Sequence, residues 1–166
     1  TDGISEKECS WVLDPIDGTR NFINGINKVA IMVSFIKSTQ CEFAIIYDPI
    51  SDVFYHTYKD SIFKNHKQIK PQIYSNQIGF LGEHAKIYFK DIITSYTEKI
   101  RSRSIGYDVI EVIEGERSFL TVYGSKIWDL FPAMSFLKLL NFETNLPNMD
   151  FDFSKLEKKI IFYANL

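Results

Sequence analysis

The sequence predicts a mixed α/β fold in which an antiparallel sheet is followed by alternating strands and helices. The first observation is a series of short apolar, β-branched runs between residues 11 and 64, separated by polar turns. The second is a set of later segments whose apolar residues recur with a helical period. Because a chain of 166 residues can bury a core of its own, we expect one domain over residues 1–166.

Residues 1–65 are predicted to form a motif strand and an antiparallel meander. The expected strands share apolar and β-branched composition, and they are Trp11–Leu13, Val29–Lys37, Cys41–Tyr47, Val53–Thr57 and Ile62–Lys64. Polar Ser38-Thr39-Gln40 turns the chain between the second and third strands, which therefore form a hairpin. Residues 66–77 are polar and contain Pro71, which predicts a connector.

Residues 78–166 are predicted to form an α/β half in which strands and helices alternate. The expected strands are Ile78–Leu81, Phe119–Tyr123 and Lys159–Ala164. The expected helices are Lys86–Ile100, Tyr107–Ile113 and Ile127–Leu140, of which the first carries one broad apolar stripe.

Composition excludes several classes of function. A net charge of −2 gives no overall attraction to nucleic acid or to anionic lipid. Cys9 and Cys41 form no recognisable disulfide framework, so a reducing cytoplasm is the simpler setting. No apolar run approaches the ~20 residues that cross a bilayer, and we expect no signal peptide.

The most informative segment runs from Trp11 to Thr19 and reads Trp-Val-Leu-Asp-Pro-Ile-Asp-Gly-Thr. Asp14 and Asp17 follow an apolar strand, and carboxylates in that place can share divalent cations. Gly18 and Thr19 come next, where a turn can lead into a short helix whose backbone N–H groups hold an anion. Metal ions beside an anion site favour phosphate-ester chemistry.

A structural interpretation of the same residues stays open. Asp14 and Asp17 are common turn residues, and Asp129, 112 positions after Asp17, can cap the helix that begins there. Gly18 and Thr19 can likewise form an ordinary turn with a capping hydroxyl. Only the fold can bring Asp129 to the other two carboxylates.

The nine-residue segment closely resembles the signature of the inositol monophosphatase family of Mg-dependent, lithium-sensitive phosphatases. The resemblance continues through Asn21–Ile26, Ala44–Pro49 and Ser61–Asn65, and Trp128-Asp129 resembles the second motif of the family. It is strong over residues 11–65 and weak over residues 66–127. The resemblance implies a layered αβαβα sandwich of the inositol monophosphatase/fructose-bisphosphatase type, here missing its N-terminal helical layer.

The resemblance also implies roles for the residues of the site. Asp14 would bridge two Mg²⁺ ions, the carbonyl of Ile16 would join one ion, and Asp17 and Asp129 would join the other. The amides of Gly18 and Thr19 would bind the phosphate, and the Thr19 hydroxyl would orient a metal-bound water, so that Asp17 and Thr19 count as catalytic. Trp11 and Trp128 are expected to pack beneath the ligands that follow them.

The implied reaction is Mg²⁺-dependent hydrolysis of a phosphate monoester, an inositol phosphate or a related polyol or sugar phosphate, by metal-activated water without a phospho-enzyme. A 3′(2′),5′-bisphosphate nucleotidase-like phosphatase is the first alternative. The second is a non-catalytic remnant that serves as an interaction module, which bulky Phe131, Leu140 and Phe142 support. The expected partner is a small-molecule phosphate monoester, with no nucleic acid and no membrane, and a homodimer stays open.

Two expectations concern completeness and substrate choice. The chain begins with Thr1, and the resemblance implies a preceding helical stretch with a metal-binding Glu and an Asp partner for Thr19. We therefore expect weak activity or none from these residues alone, and an exposed apolar face on the meander. Val122 stands about where inositol phosphatases place an acidic residue before the Trp-Asp motif, which predicts broad specificity.

Overall fold

The chain forms two β-sheets with two longer helices packed between them. The computed structural model describes residues 9–38, 40–70, 78–80, 97–99, 102–123, 126–144 and 159–164.

The first sheet is a six-stranded antiparallel meander whose strands follow one another in chain order. Its strands are β1 (Cys9–Asp17), β2 (Ala30–Lys37), β3 (Gln40–Asp48), β4 (Val53–Tyr58), β5 (Ser61–Lys64) and β6 (Lys67–Ile69). A short helix, α1 (Thr19–Ile23), follows β1. The predicted meander is confirmed. The predicted connector over residues 66–77 is wrong at β6, because these polar residues pair with β5, and residues 71–77 lie outside the described part.

The second sheet is mixed and has the strand order β10-β11-β9-β7-β8. Its strands are β7 (Ile78–Phe80), β8 (Thr97–Lys99), β9 (Phe119–Tyr123), β10 (Phe142–Thr144) and β11 (Lys159–Ala164). Strand β7 runs parallel to β8 and β9, and the other pairs are antiparallel.

Two sequence predictions fail in this sheet. The helix expected over Lys86–Ile100 cannot extend through Thr97–Lys99, which pairs with β7 as a parallel strand; residues 86–96 lie outside the described part. Strand β10 was not predicted at all, and its three residues are stabilised by antiparallel pairing with β11.

Helices α2 (Ile105–Ile113) and α3 (Ile127–Leu139) occupy the space between the sheets. Helix α2 contacts β2, β3 and β9, and α3 contacts the first sheet and β10. Because sheets lie on both sides of it, α3 is apolar almost all round its axis. Phe131, Leu140 and Phe142 fill this core, with exposures of 1%, 4% and 3%. Within the described residues, no helix is long and apolar enough to span a membrane.

The face of the first sheet that points away from the helices is apolar. Trp11 and Leu13 lie on it with exposed fractions of 66% and 54%. Their partners across the strand pair are Phe35 and Val33, and the Trp11 and Phe35 rings lie 5.0 Å apart. The expected apolar face is therefore present. The expectation that Trp11 packs beneath the acidic residues is wrong, because odd and even residues of β1 point to opposite faces. Trp128 is also exposed, at 37%.

Candidate metal centre

Three carboxylates converge where β1 ends and α3 begins. Asp14, Asp17 and Asp129 each place one oxygen within 4.8 Å of the oxygens of the other two. Asp14 and Asp17 are three residues apart, so a regular strand would point them to opposite faces. However, Asp14 pairs with Met32 and Asp17 pairs with Ala30, so that β1 contains one extra residue at this point. This β-bulge, which includes Pro15, turns both carboxylates toward the helices.

Each carboxylate is held at one oxygen by neutral donors. The backbone N–H of Ile16 donates to Asp14 Oδ1 at 3.0 Å, and that of Lys126 donates to Asp129 Oδ2 at 3.0 Å. Asp17 Oδ2 accepts the hydroxyl of Ser104 at 2.6 Å and the N–H of Gly106 at 2.7 Å. Because one oxygen of each side chain is fixed in this way, the other oxygen can ligate a cation with little loss of conformational freedom.

The electrostatics of this centre favour a positive ion. Burial, together with the nearby charges of Asp17 and Asp14, raises the pKa of Asp129 to about 6. Burial also raises the pKa of Asp17, although the hydrogen bonds from Ser104 and Gly106 oppose that change. Carboxylates crowded in this way repel one another when all are ionised, and a divalent cation would relieve that repulsion.

The turn after Asp17 requires glycine. Gly18 adopts a left-handed backbone with φ of 83°, and a Cβ there would lie 2.9 Å from both the Lys28 carbonyl oxygen and Ser104 Cβ. Thr19 is the first residue of α1, so its N–H has no partner within the helix. The Thr19 hydroxyl donates to the carbonyl of Ile16 at 2.9 Å. Asp17, Gly18 and Thr19 therefore place donors and acceptors together beside the acidic cluster.

Sequence reasoning missed two buried residues that support this centre. Ser104 was not singled out, although its position as N-cap of α2 is a signal that the sequence carries. That signal predicts the bond from the Tyr107 N–H to the Ser104 hydroxyl, and it does not predict the second bond to Asp17. Asn21 is 1% exposed and donates to the carbonyls of Lys28 and Ser102, both at 2.6 Å.

Comparison of the sequence with known protein families identifies the family of this chain. The model of the inositol monophosphatase family matches residues 2–137. The chain belongs to that family. The resemblance seen in the sequence is thereby confirmed, and the membership gives the acidic cluster a context, because inositol monophosphatase family members are metal-dependent phosphatases.

Curated proteins that are similar to this chain are named as inositol monophosphatases or related phosphatases. Fructose-1,6-bisphosphatase/inositol-1-monophosphatase of Aquifex aeolicus is 28% identical over 149 residues, which cover 81% of this chain and 56% of that protein. Inositol monophosphatase 1 of Bos taurus is 41% identical over 46 residues, which cover 28% of this chain and 17% of that protein. The chain thus spans about half the length of the relatives that it matches most extensively.

Solved structures confirm the fold. Inositol monophosphatase II of Staphylococcus aureus superposes with a TM-score of 0.79 at 22% identity, covering 95% of this chain and 66% of that chain. A structure of the same enzyme with inositol monophosphate bound gives a TM-score of 0.82 over 98% of this chain and 67% of that chain. The predicted fold class, the layered sandwich of the inositol monophosphatase type, is therefore correct.

Proposed function

We propose that this chain carries the metal and phosphate site of an enzyme that hydrolyses a phosphate monoester with Mg²⁺. The observation that carries the proposal is the convergence of three carboxylate oxygens within 4.8 Å, next to the Gly18–Thr19 turn, in a member of a phosphatase family. Oxygen-only ligands suit Mg²⁺, a hard cation. When bound, a pair of such ions activates water and stabilises the leaving oxygen.

In this proposal four residues of the chain hold the cations. Two cations would be held by Asp14, shared between them, with the carbonyl of Ile16 on one and Asp17 and Asp129 on the other. The bulge in β1 supports this assignment, because it directs Asp14 and Asp17 to one place. The neutral donors on each carboxylate support it as well, because they orient the side chains and leave their negative charge for a cation.

Gly18 and Thr19 are assigned to the phosphate and the attacking water. The N–H groups at the start of α1 would donate to phosphate oxygens, and glycine lets the backbone approach closely. The Thr19 hydroxyl already gives its hydrogen to the Ile16 carbonyl, at 2.9 Å. Its oxygen lone pairs therefore remain available to accept a hydrogen bond from water, which would orient that water toward phosphorus.

The proposed substrate is an inositol phosphate or a related polyol or sugar phosphate. The name of the A. aeolicus relative covers fructose-1,6-bisphosphate and inositol phosphate, which supports a range of such substrates. Val122 of β9 was predicted to stand near the substrate. It is 2% exposed and packs in the hydrophobic core, so its side chain makes no contact with a substrate. That burial removes the argument from Val122, so broad specificity stays a prediction that rests on the name of the A. aeolicus relative.

Two alternative functions stand beside this proposal. The S. aureus enzyme has also been solved with 2′-AMP bound, which favours a nucleotidase-like activity as the runner-up. The second alternative is the non-catalytic interaction module. Burial of Phe131 at 1% and Phe142 at 3% weakens one argument for that module, because the core accommodates these bulky residues.

Cation binding tests the proposal directly. Isothermal calorimetry should show that Mg²⁺ or Mn²⁺ binds the chain, and that Asp14→Asn abolishes binding. Asp60→Asn is the matched control, because Asp60 is an exposed turn carboxylate far along the meander. A folded wild-type chain that binds neither ion, or an Asp14→Asn variant that binds as well as wild type, would contradict the proposal.

The substrate is tested by phosphate release from inositol, sugar and nucleotide monophosphates. The panel is run on the chain and on a version extended by the part of the A. aeolicus relative that the chain does not match. Comparable kcat/KM values for polyol and sugar phosphates support broad specificity. A kcat/KM for 3′,5′-bisphosphates ~100-fold above the others would establish the nucleotidase alternative. Cation binding without turnover in either version would favour the interaction module.

A further inference from the structure

A buried polar network joins the end of β1 to the start of α2. Its members are all 7% exposed or less, and they are Asp17, Asn21, Ser102, Ser104 and Asp108. Asn21 donates to the carbonyl of Ser102, and the N–H of Ser102 donates to Asp108 Oδ1 at 3.1 Å. The network is thus a chain of hydrogen bonds that ends on the carboxylate of Asp17.

The direction of the Ser104 hydroxyl is determined by its neighbours. The Tyr107 N–H donates to Ser104 Oγ at 3.1 Å, which occupies one lone pair. The hydroxyl has a single hydrogen, and Asp17 Oδ2 lies 2.6 Å away as an acceptor without a proton of its own when ionised. Ser104 therefore donates to Asp17. The Gly106 N–H donates to the same oxygen at 2.7 Å.

We propose that Ser104 is a positioning residue for the metal centre. Its hydroxyl and the Gly106 N–H both bind Oδ2 of Asp17, which fixes the rotation of the carboxylate and presents Oδ1 to the cation. The inference rests on the proposed function, in which Asp17 is a ligand. Donors that orient a ligand in this way affect metal affinity, commonly by 10–100-fold.

Ser102 provides a matched control within the same network. Its hydroxyl donates to the Ser104 carbonyl at 2.7 Å and accepts the Ser104 N–H at 3.1 Å. Ser102 is buried like Ser104, with exposed fractions of 7% and 1%. No hydrogen bond joins it to Asp17. A Ser102→Ala change therefore removes a buried hydroxyl from the loop without removing a donor from the ligand.

The experiment compares Mn²⁺ affinity by calorimetry in the 166-residue chain and its variants. Ser104→Ala should weaken binding by about 10–100-fold, whereas Ser102→Ala should stay within about threefold of wild type. Ser104→Cys, which is slightly larger and supplies only a weak thiol donor, should weaken binding as Ser104→Ala does. Circular dichroism of each variant without metal shows whether it is folded, and the cysteine variant carries the test if the alanine variant unfolds.

A spectroscopic readout separates positioning from a general loss of structure. Luminescence lifetimes of bound Tb³⁺ in H₂O and D₂O count the waters on the ion. If Ser104 orients Asp17, the ion in Ser104→Ala should carry about one more water than in wild type, and the ion in Ser102→Ala should not.

The outcomes distinguish this inference from the proposed function. A wild-type chain that binds no cation defeats the proposed function itself. A wild-type chain that binds Mn²⁺, together with equal affinities and equal water counts in the Ser104 and Ser102 variants, overturns the positioning role alone.

Discussion

Removing the charge of Asp129 should stabilise the chain when no cation is present. Burial, with the charges of Asp17 and Asp14, raises the pKa of Asp129 from 3.8 to about 6. A shift of about two units corresponds to about 3 kcal/mol at 1.36 kcal/mol per unit. Because the side chain is only half-buried, solvent screening reduces this to roughly 1–2 kcal/mol. The free energy of unfolding of Asp129→Asn should therefore exceed that of wild type by that amount.

The gain should depend on pH in a defined direction. The folded chain holds the proton of Asp129 more tightly than the unfolded chain does, so wild-type stability is highest below about pH 4 and declines as pH rises through about 6. Above that range the repulsion is fully present. Asparagine has no such titration, and its amide oxygen can still accept the Lys126 N–H.

Urea unfolding in the presence of EDTA measures the effect. At pH 7.5 Asp129→Asn should be more stable than wild type by roughly 1–2 kcal/mol, and at about pH 3, below both pKa values, the two should nearly coincide. Asp60→Asn serves as the surface control. With Mg²⁺ at ~100 times its dissociation constant the order should reverse, because only wild type gains about 2.7 kcal/mol. A variant that is less stable than wild type at pH 7.5 without metal would refute the reasoning.

Three further predictions concern the turn, the helix and the outer face. Gly18→Ala should lower the free energy of unfolding by about 2 kcal/mol or more in chemical denaturation, since φ is 83° and a Cβ has no room; an unchanged midpoint would contradict this. Gly106→Ala should weaken Mn²⁺ binding in calorimetry, because its Cβ would lie 2.8 Å from Ala30 Cβ and 3.2 Å from Asp17 Oδ2, so that α2 must move away from the carboxylate; wild-type affinity would show that α2 adapts without that loss. An exposed apolar face favours self-association, so Trp11→Ser with Leu13→Ser should shift the sedimentation-velocity distribution toward monomer; an unaltered distribution would show that this face makes no such contact.

Much of the fold could be predicted from local sequence, and the failures have a common cause. Strands β2 and β3 are predictable because their apolar, β-branched runs are long enough to be recognised locally. Strands β6, β8 and β10 have three residues each, and tertiary pairing decides their structure. Thr97–Lys99 shows this most clearly, because its partner β7 lies at residues 78–80 and only the assembled sheet makes it a strand.

The candidate site was predictable where residue type and spacing carry the information. Asp14 and Asp17 are predictable from their place after an apolar strand, Asp129 follows from the family resemblance, and the structure brings all three together. The bulge that makes this possible could not be read from the spacing, which on a regular strand separates Asp14 from Asp17. Trp11 was misplaced for a related reason, because a large apolar residue beside a ligand gives no indication of which face of the strand it occupies.

The site is also assembled from distant parts of the chain, and this has a kinetic consequence. Asp17 and Ser104 are 87 residues apart, and Asp129 lies further on. No short segment of the unfolded chain contains all the proposed ligands, so a cation would have little to bind until both sheets and the helices between them have formed. A bound cation would therefore stabilise contacts that form late in folding. Mg²⁺ should therefore slow unfolding of the chain while leaving its folding rate nearly unchanged.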